Sequence, residues 1–263
     1  LHKEYRRQRQ MCIRDSSCVM QEGDKARNWR SRWRWIWVWA VWMACLFHWT
    51  SYLLRWYIGG RIPLGNGHET MLFLAGFLLL CTCIWQRRFS FLLPAGLLLS
   101  GFTLLVAYLS EMNPQITPLM PVLLSPWLSL HVSLIMVSYA LFALMCLCSI
   151  LALGIRRHTW QRQRLTLFCR VLLYPAVLCL GIGIFIGAVW ANVSWGSYWA
   201  WDPKEVWALI TFMLYGMAFH VQSIPRFRNP YFFHWFLIVS FSAILMTYFG
   251  VNYILGGMHS YAG

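Results

Sequence analysis

Residues 190–207 read Trp-Ala-Asn-Val-Ser-Trp-Gly-Ser-Tyr-Trp-Ala-Trp-Asp-Pro-Lys-Glu-Val-Trp. This stretch holds five tryptophans and lies between two apolar segments, each long enough to cross a membrane. Indole combines a large polarizable face with one N–H donor, and tryptophans gather at membrane surfaces for that reason. We therefore predict a membrane protein whose chemistry lies at this aromatic segment, as a loop on the membrane surface.

Two interpretations of this aromatic segment are open. The plainer one is a belt of side chains that anchors the protein at the membrane surface. The other is a binding site, because closely packed indole faces suit a large, flat and hydrophobic ligand that has polar edges. A porphyrin is the foremost candidate of that kind, and the density of the tryptophans favours a site over a belt.

Composition places the chain among polytopic membrane proteins. Hydrophobic residues make up 59% of its 263 residues and charged residues make up 11%, a balance that no soluble core requires. A helix needs roughly 20 mainly apolar residues to cross the hydrocarbon layer. We therefore predict an all-α bundle of about seven transmembrane helices, over the stretches 35–54, 69–85, 91–109, 130–154, 171–190, 204–223 and 233–250.

Positive charge is concentrated in alternate connections between these spans. Ten of the 22 Lys and Arg residues lie in residues 1–34, and further groups follow the second, fourth and sixth spans. After residue 34 the acidic residues all fall at the other ends of the spans, at Glu69, Glu111, Asp202 and Glu205. The bias of basic residues toward the cytoplasm predicts a cytoplasmic amino terminus and a carboxyl terminus on the outer face. Topology thus explains the net charge of +14 without a nucleic-acid partner.

The chain divides into two regions. Residues 1–34 form a basic segment that we place in the cytoplasm. Part of this segment, around residues 11–16, is expected to be non-native, because the segment is polar and has no apolar period. Residues 35–263 form a transmembrane domain that carries the tryptophan-rich outer loop 190–207.

The nine cysteines predict neither a disulfide framework nor a metal site. Their spacing fits no metal-binding quartet, and the pairs Cys81-Thr-Cys83 and Cys146-Leu-Cys148 lie inside predicted spans, where thiols act as small apolar side chains. The chain also has no Cys-x-x-Cys-His sequence, so we do not expect haem to be covalently attached to it.

The sequence Asp202-Pro-Lys-Glu205 is a helix-start signal. Asp is a favoured N-cap, Pro is favoured at the first helical position, and a Glu follows within the first turn. Capping can therefore be the whole role of Asp202. Alternatively, its carboxylate orients a ligand or the neighbouring tryptophans.

Two histidines fall on the predicted outer face, near the aromatic segment. His131 opens the fourth span, and His259 lies in the carboxyl-terminal tail. Neutral imidazole is a common axial ligand of haem iron, so two of them on opposite sides could hold a porphyrin against the tryptophans. We therefore predict His131 and His259 as metal ligands; the alternative for any single outer histidine is a solvated polar side chain.

The other histidines lie at different predicted depths. His220 is sixteen residues past Lys204, roughly 24 Å below the outer end of its helix, at a second, deeper site or in a packing role. His48 lies about 20 Å from the inner end of the first span, so a partner for His220 is expected from another chain. His68 is an outer residue that we do not assign as a ligand, and His234 is predicted to be a surface residue.

A family resemblance rests on these residues. The segment Trp195-Gly-Ser-Tyr-Trp-Ala-Trp-Asp-Pro-Lys-Glu-Val-Trp-Ala-Leu-Ile-Thr211 resembles the tryptophan-rich signature, or WWD loop, of the haem-handling proteins of cytochrome c maturation. The Asp-Pro-Lys-Glu continuation, the flanking His131 and His259, and the ending Gly-Val-Asn-Tyr…His-Ser-Tyr look most similar to the CcsA family, also called ResC, the synthase subunit of System II. The resemblance covers about residues 50–263.

The resemblance implies an activity and assigns roles. In this family haem is brought to the outer face and joined through its vinyl groups to the two thiols of a Cys-x-x-Cys-His apocytochrome c. The chain is then expected to be a subunit of a haem lyase (holocytochrome c synthase), with haem as its substrate and as a non-covalently bound b-type cofactor. The implied catalytic residues are Trp195, Trp199, Trp201 and Asp202; the implied haem-binding residues are His131, His259, His220, Trp190 and Trp207; and the implied iron ligands are His131 and His259.

The resemblance also implies partners and a location. A CcsB-type membrane subunit is expected to supply the counterpart of His220, and a thioredoxin-like protein to keep the apocytochrome thiols reduced. The expected location is the bacterial inner (plasma) membrane, with the active site of a multi-pass protein facing the periplasm or outer side.

Two other functions stay open. A haem transporter or delivery protein would bind haem at the same segment and pass it to a chaperone without forming a bond. A transporter of an unrelated apolar solute would be colourless when purified. Co-expression with an apocytochrome c separates the first from a synthase, because only a synthase leaves covalent haem on the substrate.

Overall fold

The computed structural model of the protein describes residues 35–87, 89, 91–109, 114–116, 118, 121–155, 159–220 and 223–255. Throughout these residues the protein is all-α, without a β-strand, as the sequence predicts. Its α-helices, numbered in chain order, are α1 (Trp35–Gly59), α2 (Gly67–Trp85), α3 (Leu92–Leu109), α4 (Pro126–Gly154), α5 (Thr159–Trp195), α6 (Pro203–Met217) and α7 (Pro230–Leu245). A π-helix, Met246–Leu255, continues α7. Residues 1–34, predicted to be the cytoplasmic segment, lie outside the described residues, and so does His259.

Six helices of the described residues are long and apolar enough to cross a membrane. They are α1 to α5 and the α7 segment Pro230–Asn252, and each has at least 18 residues. The predicted spans other than the sixth therefore have a matching helix, and the chain is a multi-pass membrane protein.

Helix α6 differs from its predicted span, 204–223. It begins at Pro203, as the capping signal predicts, and ends at Met217 after 15 residues. That length corresponds to about 22 Å, less than the ~30 Å of the hydrocarbon layer. Three successive N–H groups after Met217 bond carbonyls three residues earlier, and this tightening of the last turn ends the helix. The sequence after Met217, Ala-Phe-His-Val-Gln-Ser, contains no Gly or Pro that would mark this end.

Helix α5 is longer than its predicted span, 171–190, and has 37 residues. The segment 190–207 is therefore the end of α5, a connection over residues 196–202, and the first turns of α6. Gly196 ends α5, because its φ of 79° lies in the left-handed region that glycine adopts without steric cost. Its N–H returns to the carbonyl of Asn192 at 2.9 Å.

Helices α4 and α5 pack against each other closely, and two glycines of α5 set their distance. A Cβ atom at Gly183 would lie 2.8 Å from Cδ1 of Ile135, and one at Gly187 would lie 2.6 Å from both Cε1 and Nδ1 of His131. Glycines four residues apart share one face of a helix and allow two backbones to approach. The beginning of α4 therefore rests directly on the backbone of α5.

His234 is buried, and its prediction as a surface residue was wrong. Its side chain is 0% exposed, with Nε2 at 2.9 Å from Oγ1 of Thr166 on α5 and Nδ1 at 3.0 Å from Oγ of Ser149 on α4. Two hydroxyl groups of neighbouring helices satisfy both ring nitrogens, and burial then costs little. His234 thus ties α7 to α4 and α5, a pairing between distant parts of the chain that local sequence does not reveal.

Candidate functional site

A cavity of about 590 Å³ opens among the connection after α1, the start of α2, α4, α5, α6 and the π-helix. Its walls are mainly apolar, with a few polar side chains placed among them. Its lining includes His131, Trp190, Trp199, Lys204, Arg61 and Tyr248.

His131 lies in the second turn of α4, and α5 fixes its ring. Its Nδ1 lies 2.7 Å from the carbonyl oxygen of Gly183, and the ring lies against the bare Cα of Gly187. A carbonyl oxygen only accepts hydrogen bonds, so Nδ1 must donate its proton, and in the neutral form of the imidazole the lone pair is then on Nε2. Metal-binding histidines are oriented in this way, by a bond from the ring nitrogen that does not bind the metal.

The predicted tryptophans separate into cavity residues and supporting residues. Trp190 is 1% exposed and lines the cavity, and Trp195 meets it edge to face with ring centroids 4.8 Å apart. Trp199 also lines the cavity, and Trp201 meets it edge to face at 6.0 Å. Trp201 itself is 72% exposed. The structure therefore brings Trp190 and Trp199 to the cavity, with Trp195 and Trp201 beside them.

Trp199 presents a hydrogen-bond donor at this site. Its Nε1 atom is buried and has no hydrogen-bond partner among the described residues. A buried indole N–H normally finds an acceptor. The cavity thus combines an apolar aromatic wall with a donor that is suited to a polar ligand edge.

Asp202 caps α6 rather than lining the cavity. It is 5% exposed, and its carboxylate accepts the N–H of Lys204 at 3.2 Å, while Glu205 accepts the N–H groups of Ala200 at 2.9 Å and Asp202 at 3.2 Å. This is a reciprocal capping box. It fixes the connection that carries Trp199 and Trp201 to the first turn of α6. The catalytic role assigned to Asp202 by the resemblance stays a prediction.

Lys204 follows the cap and lines the cavity. Burial lowers the pKa of its ammonium group to about 8, although the nearby carboxylate of Asp202 acts in the opposite direction. Lys204 was not predicted as a site residue, because its neighbours in the sequence mark it only as part of a helix start.

A group of three charged residues, which sequence reasoning missed, adjoins another wall of the cavity. Glu69 in the first turn of α2 has a side chain that is 1% exposed, and it pairs with Arg61 at 2.8 Å and with Arg55 of α1 at 3.2 Å. The N–H of Gly65 donates to the same carboxylate at 2.8 Å. Of these residues, Arg61 and Gly65 line the cavity. Only the helix-start position of Glu69 was visible in the sequence.

The π-helix closes the cavity on the carboxyl-terminal side. Tyr248 lines it and shares a hydrogen bond of 2.7 Å with Thr70 of α2, while the side-chain amide of Asn252 donates to the carbonyl of Tyr248 at 2.7 Å. π-helical turns are rare and occur frequently at functional sites. The backbone thus leads from the cavity wall toward the tail that contains His259.

Three other predicted or discussed residues lie away from this cavity. Trp207 faces a second, apolar cavity of about 400 Å³ between α6 and α7. His220 is exposed just past the end of α6. His48 of α1 packs on α2, with Nε2 at 2.9 Å from the carbonyl oxygen of Leu72, beside Gly76. The haem-binding roles of Trp207 and His220 stay predictions, and His48 is a packing residue.

The donor set fits haem better than a bare metal ion. Among the described residues, no group of three or more His, Cys, Asp or Glu side chains could hold a metal. A porphyrin brings four nitrogen ligands of its own and requires only axial ligands from the protein. The cavity volume falls within the roughly 300–1,000 Å³ of cofactor sites, and apolar walls with few polar groups are typical of them.

Comparisons with known proteins identify the family of the chain. A family model described as "Cytochrome C assembly protein" matches residues 64–259. Protein NrfI of Wolinella succinogenes is 39% identical over 229 residues, 84% of this chain and 25% of NrfI. The cytochrome c biogenesis protein CcsA of Chlamydomonas reinhardtii is 36% identical over 80% of this chain and 63% of its own length. CcsA of Prochlorococcus marinus is 32% identical over 80% of this chain and 79% of its own length.

The chain thus spans a quarter of NrfI and less than two thirds of the Chlamydomonas CcsA. The matched segment contains α2 to α7 and every cavity residue from Leu64 onward, whereas α1 and the cavity residues Gly60, Arg61 and Ile62 precede it. The resemblance to the CcsA family that the tryptophan-rich segment predicts is confirmed, and this chain belongs to the cytochrome c assembly protein family.

Proposed function

We propose that the chain binds haem at the outer face of the membrane and promotes its thioether attachment to a Cys-x-x-Cys-His apocytochrome c. The observation that carries this proposal is the fixed orientation of His131. Its ring is held by the backbone of α5 at the wall of a haem-sized aromatic cavity, with Nε2 as the nitrogen suited to iron. A haem-binding role in cytochrome c biogenesis is also what the family membership supports.

Different residues of the chain would hold the iron and the ring of the haem substrate. His131 and His259 would hold the haem iron, and Trp190 and Trp199 would supply flat apolar surfaces for the ring. The capping box of Asp202 and Glu205 positions the connection that carries Trp199. Trp195 and Trp201 support these rings from the side.

The bond-forming step needs positioning more than a strong acid or base. Each thioether forms when a cysteine S–H adds across a vinyl C=C bond of haem: sulfur bonds to one carbon and hydrogen goes to the other, without net oxidation. Holding the thiol and the vinyl group together makes the encounter intramolecular, which is worth up to ~7–11 kcal/mol in favourable cases. The reduced thiols are the contribution of a thioredoxin-like partner in this proposal.

The proposal includes an orientation and partners. The distribution of basic residues supports a cytoplasmic amino terminus and a site facing the periplasm or outer side of a bacterial inner membrane. On the basis of the resemblance to the CcsA family, a CcsB-type subunit is the proposed partner, and it would supply the counterpart of His220.

Removal of the ligands tests the site. We expect His131→Ala and His259→Ala each to lower the haem affinity of the detergent-purified protein at least about tenfold, with partial recovery when imidazole is added. Haem is quantified by its absorption spectrum. His48→Gln is the matched control, because it removes a histidine outside the cavity and keeps an N–H donor for the carbonyl of Leu72. Unchanged haem content in both alanine variants would contradict the ligand assignment.

Attachment is tested by co-expression with an apocytochrome c and a CcsB-type subunit. We expect covalent haem on the cytochrome with the wild-type chain and its loss with His131→Ala. If haem accumulates on the wild-type chain and none becomes covalently attached, the delivery function replaces the synthase function.

A further inference from the structure

The cavity wall formed by the connection after α1 carries a concentration of positive charge. Arg55 and Arg61 both pair with Glu69, so two cations share one carboxylate among the described residues. All three side chains are largely withdrawn from water, at 14%, 12% and 1% exposure. A positive charge in such a place is costly unless an anion approaches it.

This wall is rigid before any ligand arrives. The hydroxyl group of Tyr52 donates to the carbonyl of Pro63 at 3.0 Å, and Nη2 of Arg55 donates to the carbonyl of Gln115 at 3.1 Å. Nη1 and Nη2 of Arg61 both bond to the carboxylate of Glu69. A guanidinium held in one place loses little conformational entropy when it binds an anion.

The backbone adds to the same electrostatic preference. Gly65, Asn66 and Gly67 line the cavity next to Arg61 and lead into α2. The side chain of Asn66 caps that helix by accepting the N–H of Glu69 at 2.8 Å. The amino-terminal end of a helix carries the positive end of its dipole, which favours a negative group nearby.

The other cation of the lining has different surroundings. Lys204 is adjacent to two carboxylates, those of Asp202 and Glu205, which cap α6. Among the described residues, Lys204 thus has two neighbouring carboxylates, whereas Arg55 and Arg61 share the single carboxylate of Glu69. An anionic part of a ligand is favoured at the Arg61 wall.

We infer that Arg61 binds the propionate carboxylates of haem and so sets the direction in which the ring enters the cavity. This inference rests on the proposed haem-binding function and deepens it. The two propionates of haem lie on one half of the ring and the two vinyl groups on the other. A contact between the propionates and Arg61 therefore turns the vinyl half away from the α1–α2 wall and leaves it for the apocytochrome thiols.

The test compares haem with its dimethyl ester, which has the same iron, ring and vinyl groups but no carboxylate. Both are titrated into haem-free protein in a nonionic detergent and followed by visible absorbance. We expect the wild type to bind haem about 10- to 100-fold more tightly than the ester, as charge-assisted hydrogen bonds allow. In Arg61→Gln the ratio of haem affinity to ester affinity should fall to about one, because haem binds more weakly while ester binding is unchanged. Arg61→Lys should restore part of this ratio.

Arg164→Gln is the matched control, because it removes an exposed arginine that lies outside the cavity, and it should keep the ratio. Unchanged ester binding by Arg61→Gln shows that the variant is folded. Equal binding of haem and ester by the wild type, or a ratio that survives in Arg61→Gln, would overturn the inference while leaving haem binding intact.

A phospholipid phosphate has the same charge chemistry as a propionate. The titration is therefore repeated with phosphatidylglycerol, and the ratio should stay the same; its loss would assign Arg61 to lipid and overturn the inference. If the wild type binds neither porphyrin, the proposed function fails, and this inference fails with it.

Discussion

Gly187 determines where the ring of His131 can lie. A Cβ atom there would come within 2.6 Å of two ring atoms, closer than any van der Waals contact allows, so the ring must move or α4 must shift. The absence of a side chain at Gly187 of α5 therefore determines the direction of the His131 imidazole on α4.

We expect Gly187→Ala to lower haem affinity about 10- to 100-fold, the usual effect of disturbing the support of a metal ligand. The measurement is a haem titration of the purified variant, with thermal unfolding measured alongside. Gly216→Ala is the control, because a Cβ at Gly216 of α6 meets nothing within 4 Å. Haem affinity as in the wild type for Gly187→Ala would mean that the ring of His131 is not held as described.

At this scale the sequence located part of the site. His131, Trp190 and Trp199 were predicted from composition, order and resemblance, and all three line one cavity. Arg61 and Lys204 were not found, because a single cation in a connection or a helix start carries no periodic signal. Their roles depend on which carboxylates lie near them in space.

Helix starts and ends decide the shape of the aromatic segment. The cap at Asp202 was readable from four residues, whereas the end of α5 at Trp195 depends on the left-handed backbone of Gly196. Helix α6 stops short of its predicted span for a similar reason, since its end is a local backbone turn that no Gly or Pro after Met217 marks. Local chemistry thus predicts where helices begin better than where they end.

We expect Asp202→Ala to destabilise the protein by about 1 kcal/mol, the usual cost of losing an N-cap, and to lower haem attachment because the connection to Trp199 loosens. Asp202→Asn should keep both properties, since an amide oxygen also accepts the capping N–H groups. Thermal unfolding in detergent and covalent haem on a co-expressed apocytochrome c are measured for both variants. Normal stability with lost attachment in Asp202→Asn would show that the charge of the carboxylate has a role beyond capping.

At the scale of the whole molecule, hydrophobicity was the dependable guide. Six apolar stretches correspond to helices of at least 18 residues, because a helix in lipid must satisfy its own backbone hydrogen bonds. Side-chain pairings between distant helices were not predictable. The buried His234 with Ser149 and Thr166 is the clearest example.

The orientation of the bundle can be tested with a matched pair of exposed serines. Ser197 lies between α5 and α6, and Ser223 lies between α6 and α7. In a cysteine-free background we expect Ser197→Cys to react with a membrane-impermeant maleimide in intact cells, and Ser223→Cys to react only after permeabilisation. The opposite pattern would reverse the topology that the basic residues predict.

The bond between His131 and Gly183 has an electronic consequence. A carbonyl that pulls on the Nδ1 proton makes the opposite nitrogen more basic, which strengthens its donation to a bound metal and favours the higher oxidation state. Since the acceptor is a main-chain oxygen, no exchange of one side chain for another deletes it. The position of that oxygen depends on how α4 packs against α5, so this packing would affect the electronic properties of a metal held by Nε2.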